Sequence, residues 1–146
     1  MKSWRHAWGT AVDALERWLA LDFVLAASQL GIAAVFFASG RTKVDGFLHV
    51  TDGAVALFRD EYRLPLLDPS VAAHLAAYAE HLLPLLLVVG FATRASALAL
   101  LAMTLVIEVF VYPDAWPTHL SWAALLLLLA ARGAGAWSLD RVIGVR

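Results

Sequence analysis

Four apolar runs, of about the length that a helix needs to cross a bilayer, constrain this chain more than any other feature. A hydrocarbon layer ~30 Å thick takes about 20 helical residues, with a range of about 17–25. The first run, 23–40, holds 18 uncharged residues between Asp22 and Arg41. The other runs cover about 70–89, 94–112 and 118–132. The pattern predicts an all-α fold, a transmembrane four-helix bundle.

The composition agrees with a membrane environment. Of the 146 residues, 62% are hydrophobic and 16% are charged, whereas roughly a quarter of the residues of a soluble domain are charged. The chain has no Cys, which excludes disulfides, thiolate metal sites and Cys-ligated iron–sulfur clusters. Electron or sulfur chemistry would therefore need a bound cofactor or a partner. With a net charge of −1 and no basic run, the chain shows no electrostatic footprint for nucleic acid.

Turn residues separate the predicted spans. Gly90 fits a helix C-cap and Thr93 a helix N-cap, while Pro113 and Pro117 break the chain before the last span. The last two connections are short. The helices that they join must therefore be antiparallel neighbours.

The leading segment, residues 1–21, has a different pattern. Apolar residues recur there at roughly helical spacing among charged ones: Trp4, Trp8, Leu15, Trp18 and Leu19. This pattern predicts an interfacial amphipathic helix with a tryptophan belt. The segment lacks the combination of a short apolar core and a cleavage site that is typical of a signal peptide, so we expect it to be retained. The predicted domains are thus 1–21 and a membrane domain, 22–146.

A polar stretch of 29 residues, Arg41 to Pro69, separates the first two spans. Its length and its partly apolar middle predict a helix that lies on the membrane surface. Four spans place seven Lys and Arg residues on one face of the membrane and four on the other. The positive-inside rule then predicts a bacterial-type inner (plasma) membrane protein with both termini cytoplasmic and this stretch outside.

Glu80 is the intramembrane residue that most requires an explanation, because an ionisable group near mid-bilayer costs several kcal/mol unless it is paired or neutralised. At 100° per residue it shares a helix face with small residues and a proline: Ala73, Ala76, Ala77 and Pro84. Such a face lets a neighbouring helix approach, so we expect Glu80 to point into the bundle. There it would be protonated, or held ionised by a cation. Interhelical hydrogen bonding, a proton relay and a cofactor contact are all compatible with this position.

Further polar residues fall at one predicted depth, near the outer ends of the helices. They are His74, Glu108 and His119, with Arg41 and Lys43 at the end of the first span. They predict an outer polar layer lining a small pocket, although helix ends near headgroups are often polar without a function. His81, one helical position from Glu80, is interpreted as an interhelical hydrogen-bonding group. His74 and His81 are about 10.5 Å apart along the helix axis, so the two cannot share one metal ion and no metal site is predicted.

The order of several motifs resembles the DoxX family of small four-helix membrane proteins, over about 29–144. The motifs are Phe36-Phe37-Ala38-Ser39-Gly40-Arg41-Thr42-Lys43, Leu64-Pro65, Ala79-Glu80, Gly90-Phe91-Ala92-Thr93-Arg94 and Gly133-Ala134-Gly135-Ala136-Trp137-Ser138-Leu139-Asp140. The Gly-x-x-Thr-Arg turn and the Trp-Ser-Leu-Asp tail carry most of the likeness. One departure is that the tail has Gly-Ala-Gly where many relatives have Gly-Pro-Gly.

The resemblance implies a choice of functions. Some members of the family are linked to quinone-dependent thiosulfate oxidation, and others are membrane partners of soluble redox or stress-defence enzymes. The first hypothesis is an accessory subunit of a redox-linked system, in which the outer polar layer or the cytoplasmic face binds a partner protein. A homo-oligomer is also compatible with the sequence.

Two other hypotheses remain open. A quinone-linked oxidoreductase subunit would use Glu80 or Glu108 to take a proton and Arg94 or Lys43 to attract an anionic donor. It predicts a quinone-sized apolar cleft beside one of those carboxylates. A small transporter or metal-handling protein would use His74, Glu108 and His119, and it predicts that these converge within about 5 Å.

Overall fold

The protein is described here by a computed structural model, which covers residues 8, 9, 12, 13, 16 and 21–144. The predicted interfacial helix over residues 1–21 lies almost wholly outside the described residues. In chain order the elements are α1 (Leu21–Arg41), β1 (Val44–Asp45), β2 (His49–Val50), α2 (Asp52–Leu57), α3 (Pro69–Val89), α4 (Thr93–Val106), α5 (Trp116–Arg132) and α6 (Leu139–Val142). Two π-helical segments, Phe58–Tyr62 and Ile107–Val111, extend α2 and α4.

The four long helices form the predicted all-α membrane bundle. Among the described residues, three helices are long and apolar enough to cross a membrane: α1, α3, and α4 with its extension, Thr93–Val111. Helix α5 has 17 residues, at the lower end of the spanning range. Helix α1 packs chiefly on α3 and α4 packs chiefly on α5, with further contacts of α1 with α5 and of α3 with α4. The core between them is aliphatic and aromatic, and includes Leu25, Ile32, Phe36, Leu87, Leu100, Leu126 and Leu129.

The connection between α1 and α3 contains a helix, as predicted, together with a short hairpin. It begins with a short antiparallel hairpin, in which Val44 pairs with Val50, and continues into α2, whose first turn is capped by Thr51. Its buried side chains pack on α3 in a second core made of Val44, Val50, Ala54, Phe58, Ala72, Ala73 and Ala77. The connection is therefore a folded cap that covers the first half of α3.

Helix α1 ends level with the middle of α3. A Cβ atom added to Gly40 would lie 2.9 Å from His81 Cε1 and 3.0 Å from Glu80 Cβ, so only a glycine permits this approach of the two helices. His74 lies six residues before Glu80 on α3, about 9 Å along the helix axis. The predicted outer layer placed Lys43 at the depth of His74. That placement was wrong, because the folded cap rather than α1 covers the outer half of α3.

We call the Gly90–Thr93 turn together with residues 133–144 the turn end of the bundle. Gly90 ends α3 with φ +65°, which confirms its predicted role as a C-cap. Thr93 is not the N-cap of α4, because it is already the first helical residue and its hydroxyl has no hydrogen-bond partner within the described part of the chain. Instead, the carboxylate of Asp140 accepts hydrogen bonds from the N–H groups of Ala92 at 2.7 Å and Thr93 at 2.9 Å. The tail therefore caps α4 with a charge that the helix dipole favours.

Three further hydrogen bonds join segments at the same end. Arg94 donates to the carbonyl oxygens of Ala130 at 2.9 Å and Ala131 at 2.8 Å, which are among the last carbonyls of α5. Asp22, at the start of α1, accepts from the N–H of Ala136 at 2.7 Å. The motifs that carry the family resemblance thus join α1, α4, α5 and the tail.

Candidate functional site

A cavity of ≈ 450 Å³ lies at the other end of the bundle. We call this the loop end, formed by the cap (residues 42–68) and by Tyr112–Trp116. The cavity walls are mainly apolar and include Val35, Phe36, Phe58, Leu75, Met103 and Trp122. Leu75 of α3 and Val106 of α4 line the cavity and are also 58% and 40% exposed. The cavity therefore opens between α3 and α4 onto the outer surface of the bundle, which lipid would cover, and we call it the cleft.

A buried ion pair forms one polar wall of the cleft. Lys43 Nζ lies 2.7 Å from Glu80 Oε2, and the two side chains are only 7% and 3% exposed. The chain turns back after α1, with the N–H of Lys43 donating to the carbonyl of Gly40 at 3.0 Å, and this turn directs the lysine towards α3. The prediction that Glu80 points into the bundle is confirmed, and Lys43 is the cation beside it.

Ser39 completes this wall. Lys43 Nζ also donates to the Ser39 carbonyl at 3.2 Å and to Ser39 Oγ at 2.9 Å. An ammonium group has three hydrogens, and here all three have acceptors. A buried pair satisfied in this way avoids the large cost of an isolated buried charge.

His81 packs behind the ion pair, on the α1 side of α3. Its Nδ1 donates to the carbonyl of Ala77 at 2.6 Å, and its ring meets Phe37 edge to face. The remaining ring nitrogen, Nε2, is buried without a hydrogen-bond partner among the described residues. His81 is not among the residues that line the cleft.

A second polar pair, Glu108 and His119, joins α4 to α5. Glu108 lies in the π-helical extension of α4 and His119 in the first turn of α5, and Glu108 Oε2 is 2.5 Å from His119 Nδ1. His119 is buried and lines the cleft, and its ring packs against Trp122 at 5.1 Å. Glu108 is 27% exposed. The pair therefore connects the cleft to the outer surface of the bundle.

Two tyrosines, which the sequence analysis did not select, lie where the cap meets α4. The hydroxyl groups of Tyr62 and Tyr112 are 3.4 Å apart and the rings meet edge to face at 5.8 Å. Both residues line the cleft. Burial raises the pKa of the Tyr62 phenol above its ordinary value, and the hydrogen bond with Tyr112 acts in the same direction. The sequence signal for this contact was weak, because Tyr62 lies within the polar connection 41–69 and Tyr112 at the end of the third predicted span.

The remaining predicted site residues lie elsewhere. His74 bonds the carbonyl of Ser70 on its own helix and Arg41 is exposed. The described residues contain no group of three His, Cys, Asp or Glu side chains that could hold a metal ion. His74 thus does not join Glu108 and His119, and the metal-handling hypothesis loses the convergence that it required. Gly90, Thr93 and Arg94 belong to the turn end, at the opposite end of the bundle from the cleft.

The fold and the site define a small polytopic membrane protein with an amphipathic cleft between its helices. The sequence model of the DoxX family matches residues 24–113, more than half of the chain. The chain therefore belongs to the DoxX family, as its motifs predict. It matches no curated protein and no solved structure. The matched range includes Lys43, Glu80 and Glu108 and ends before His119.

Proposed function

We propose that the cleft binds the ring of a lipid-soluble, quinone-like molecule, and that the protein is the ligand-binding membrane subunit of a redox-linked system. One observation supports this most directly. The cleft opens between α3 and α4 at Leu75 and Val106, and at its inner wall lies the Lys43–Glu80 ion pair. A molecule dissolved in the bilayer would reach polar groups there without passing through water.

The residues of the cleft fit such a group. Its volume of ≈ 450 Å³ falls in the range of roughly 300–1,000 Å³ that is usual for small-molecule sites. Phe36, Tyr62 and Trp122 offer aromatic walls against which a planar ring can pack. An apolar tail would extend from the opening into lipid. The quinone hypothesis required an apolar cleft beside Glu80 or Glu108, and this cleft has Glu80 in its wall and Glu108 behind His119.

A bound quinone would supply two-electron, two-proton chemistry. The residues of the chain would orient the ring and exclude water from it. The Glu108–His119 pair can hold a proton between Oε2 and Nδ1, and the exposed side of Glu108 offers that proton a route out of the bundle. The Lys43–Glu80 pair would provide a polar surface on the opposite wall of the cleft.

The proposal includes a protein partner and an orientation. Since the chain has no Cys, thiol chemistry would belong to the partner. The Lys and Arg distribution supports cytoplasmic termini in a bacterial-type inner membrane, which would place the loop end and the cleft in the outer half of the bilayer. The partner would then bind the loop end or the cytoplasmic face.

Ligand binding is tested with purified protein in lipid nanodiscs and decylubiquinone, with empty nanodiscs subtracted. We expect one saturable site per chain. Ala102→Trp, at a lining position on α4, should weaken binding by about tenfold or more, because an indole would overfill the opening. Ala95→Trp is the matched control, two helical turns away on the same helix and outside the cleft. An absence of saturable binding, or equal effects of the two variants, would contradict the proposal.

A further inference from the structure

The polar atoms of the cleft differ in whether they can still bind a ligand. All three hydrogens of Lys43 Nζ are engaged, and one of them binds Glu80 Oε2. The lysine therefore has no hydrogen left to donate to a ligand. His119 is different, because its Nδ1 bonds Glu108 whereas its Nε2 has no hydrogen-bond partner among the described residues. The ring is 5% exposed and lines the cleft.

The Glu108 contact determines what His119 Nε2 can do. Where Glu108 is ionised, its carboxylate only accepts hydrogen bonds, so the hydrogen of the 2.5 Å contact lies on Nδ1. A neutral imidazole carries a single N–H, and the other nitrogen is then an acceptor. In this tautomer His119, which lines the cleft, presents an acceptor nitrogen. Such an atom is satisfied by a hydroxyl group and not by a carbonyl group.

We infer that the cleft selects a hydroxylated ring, a hydroquinone or a phenol, over the corresponding quinone. The inference rests on the proposed function and names the redox form that the site binds. A ring hydroxyl would donate to His119 Nε2. The Tyr62–Tyr112 pair shares one hydrogen bond of 3.4 Å and retains a phenolic hydrogen, which could be donated to an oxygen at the other side of the ring. A quinone would use the tyrosine and leave His119 unpaired.

In this arrangement Glu108 is a positioning residue. It does not line the cleft and would act on the ligand only through the tautomer of His119. Its removal would release the Nδ1 hydrogen, and His119 could then present either a donor or an acceptor. The preference for the hydroxylated form should fall while the cleft keeps its shape.

The test compares three probes in nanodiscs under argon: decylubiquinol, decylubiquinone and the dimethyl ether of decylubiquinol. Calorimetric titration should give the quinol an affinity about tenfold above that of the quinone, since one hydrogen bond to His119 Nε2 is gained. The ether, which has the substituted ring but no hydroxyl, should bind no better than the quinone. Equal affinities, or tighter quinone binding, would overturn the inference and leave the proposed function standing. Failure of all three probes to bind would overturn both.

Variants test whether the preference for the quinol over the quinone depends on His119 and Glu108. His119→Phe should abolish it, because the acceptor nitrogen is lost. Glu108→Leu should reduce it, and Glu108→Gln, which keeps an acceptor oxygen for Nδ1, should restore it. Ser121→Ala, on the exposed face of α5, is the control and should change neither affinity. A quinol-to-quinone affinity ratio that survives in both His119→Phe and Glu108→Leu would refute the assignment to His119.

Discussion

At the turn end of the bundle, charged side chains bind the backbone of other segments, whereas around the cleft they form pairs with one another. Asp140 and Arg94 close helix ends that would otherwise be unsatisfied, and Asp22 bonds the backbone of the tail at Ala136. Lys43 with Glu80, and Glu108 with His119, form side-chain pairs around the cleft. The first arrangement fixes the fold. The second places charge beside an apolar space, which is the arrangement expected of a binding site.

The largest effect on stability is expected from Lys43→Met, beside the cleft. Loss of the lysine leaves Glu80 buried without its cation, and such a loss typically costs about 3–5 kcal/mol. We expect the free energy of unfolding in detergent to fall by this amount and ligand binding to be lost.

Arg41→Met is the matched control, since it removes the same charge two residues away at an exposed position. The double variant Lys43→Met with Glu80→Met should recover most of the stability, because no charge is then left unpaired. Equal destabilisation by Lys43→Met and Arg41→Met would show that the buried pair contributes nothing specific.

A smaller effect is expected at the turn end from Asp140→Ala. The change removes a carboxylate that accepts two backbone hydrogen bonds at the start of α4, and hydrogen bonds to charged groups contribute about 2 kcal/mol. Thermal unfolding should report this loss, while the affinity of the cleft for its ligand stays unchanged. Asp114→Ala, at an exposed position of the loop end, serves as the control. A change in ligand affinity with Asp140→Ala would contradict the view that the turn end stabilises the fold without affecting the cleft.

The smallest effect is expected from Tyr62→Phe, on the stability of the protein at alkaline pH. Its folded-state pKa is raised above the unfolded value of about 10. The unfolded state therefore loses this proton first, and the stability from Tyr62 is fully present below about pH 10 and lost as the pH rises further. Tyr62→Phe should flatten the pH dependence of unfolding above about pH 10, and the ultraviolet titration of tyrosinate should lose its latest component. An early, ordinary titration of Tyr62 would contradict its burial against the cleft.

The bundle could be predicted from the sequence because its signals are local. Asp22 and Arg41 bracket the first span, Gly90 ends the second helix, and Glu80 lies on a face of small residues. Each of these follows from hydropathy or helical periodicity. The inward direction of Glu80 was predicted for the same reason, and the structure confirms it.

The site could be predicted only in part, because its geometry is non-local. Lys43 and Glu80 were both selected, but their pairing depends on Gly40, which lets α1 end against the middle of α3. Because the cap covers the outer half of α3, Lys43 does not lie in the outer layer in which it was predicted. Tyr62 and Tyr112, fifty residues apart, meet only because the cap folds onto the bundle.

The Lys43–Glu80 pair also has an electrical consequence. Moving one elementary charge through a membrane potential of 100 mV involves about 2.3 kcal/mol of work. The two opposite charges lie 2.7 Å apart and sum to zero, so the field across the membrane exerts no net force on them. A proton that left or joined the pair would end this neutrality and make the cleft sensitive to voltage. The protein can thus keep two charges within the bilayer and respond to the potential only when a proton moves.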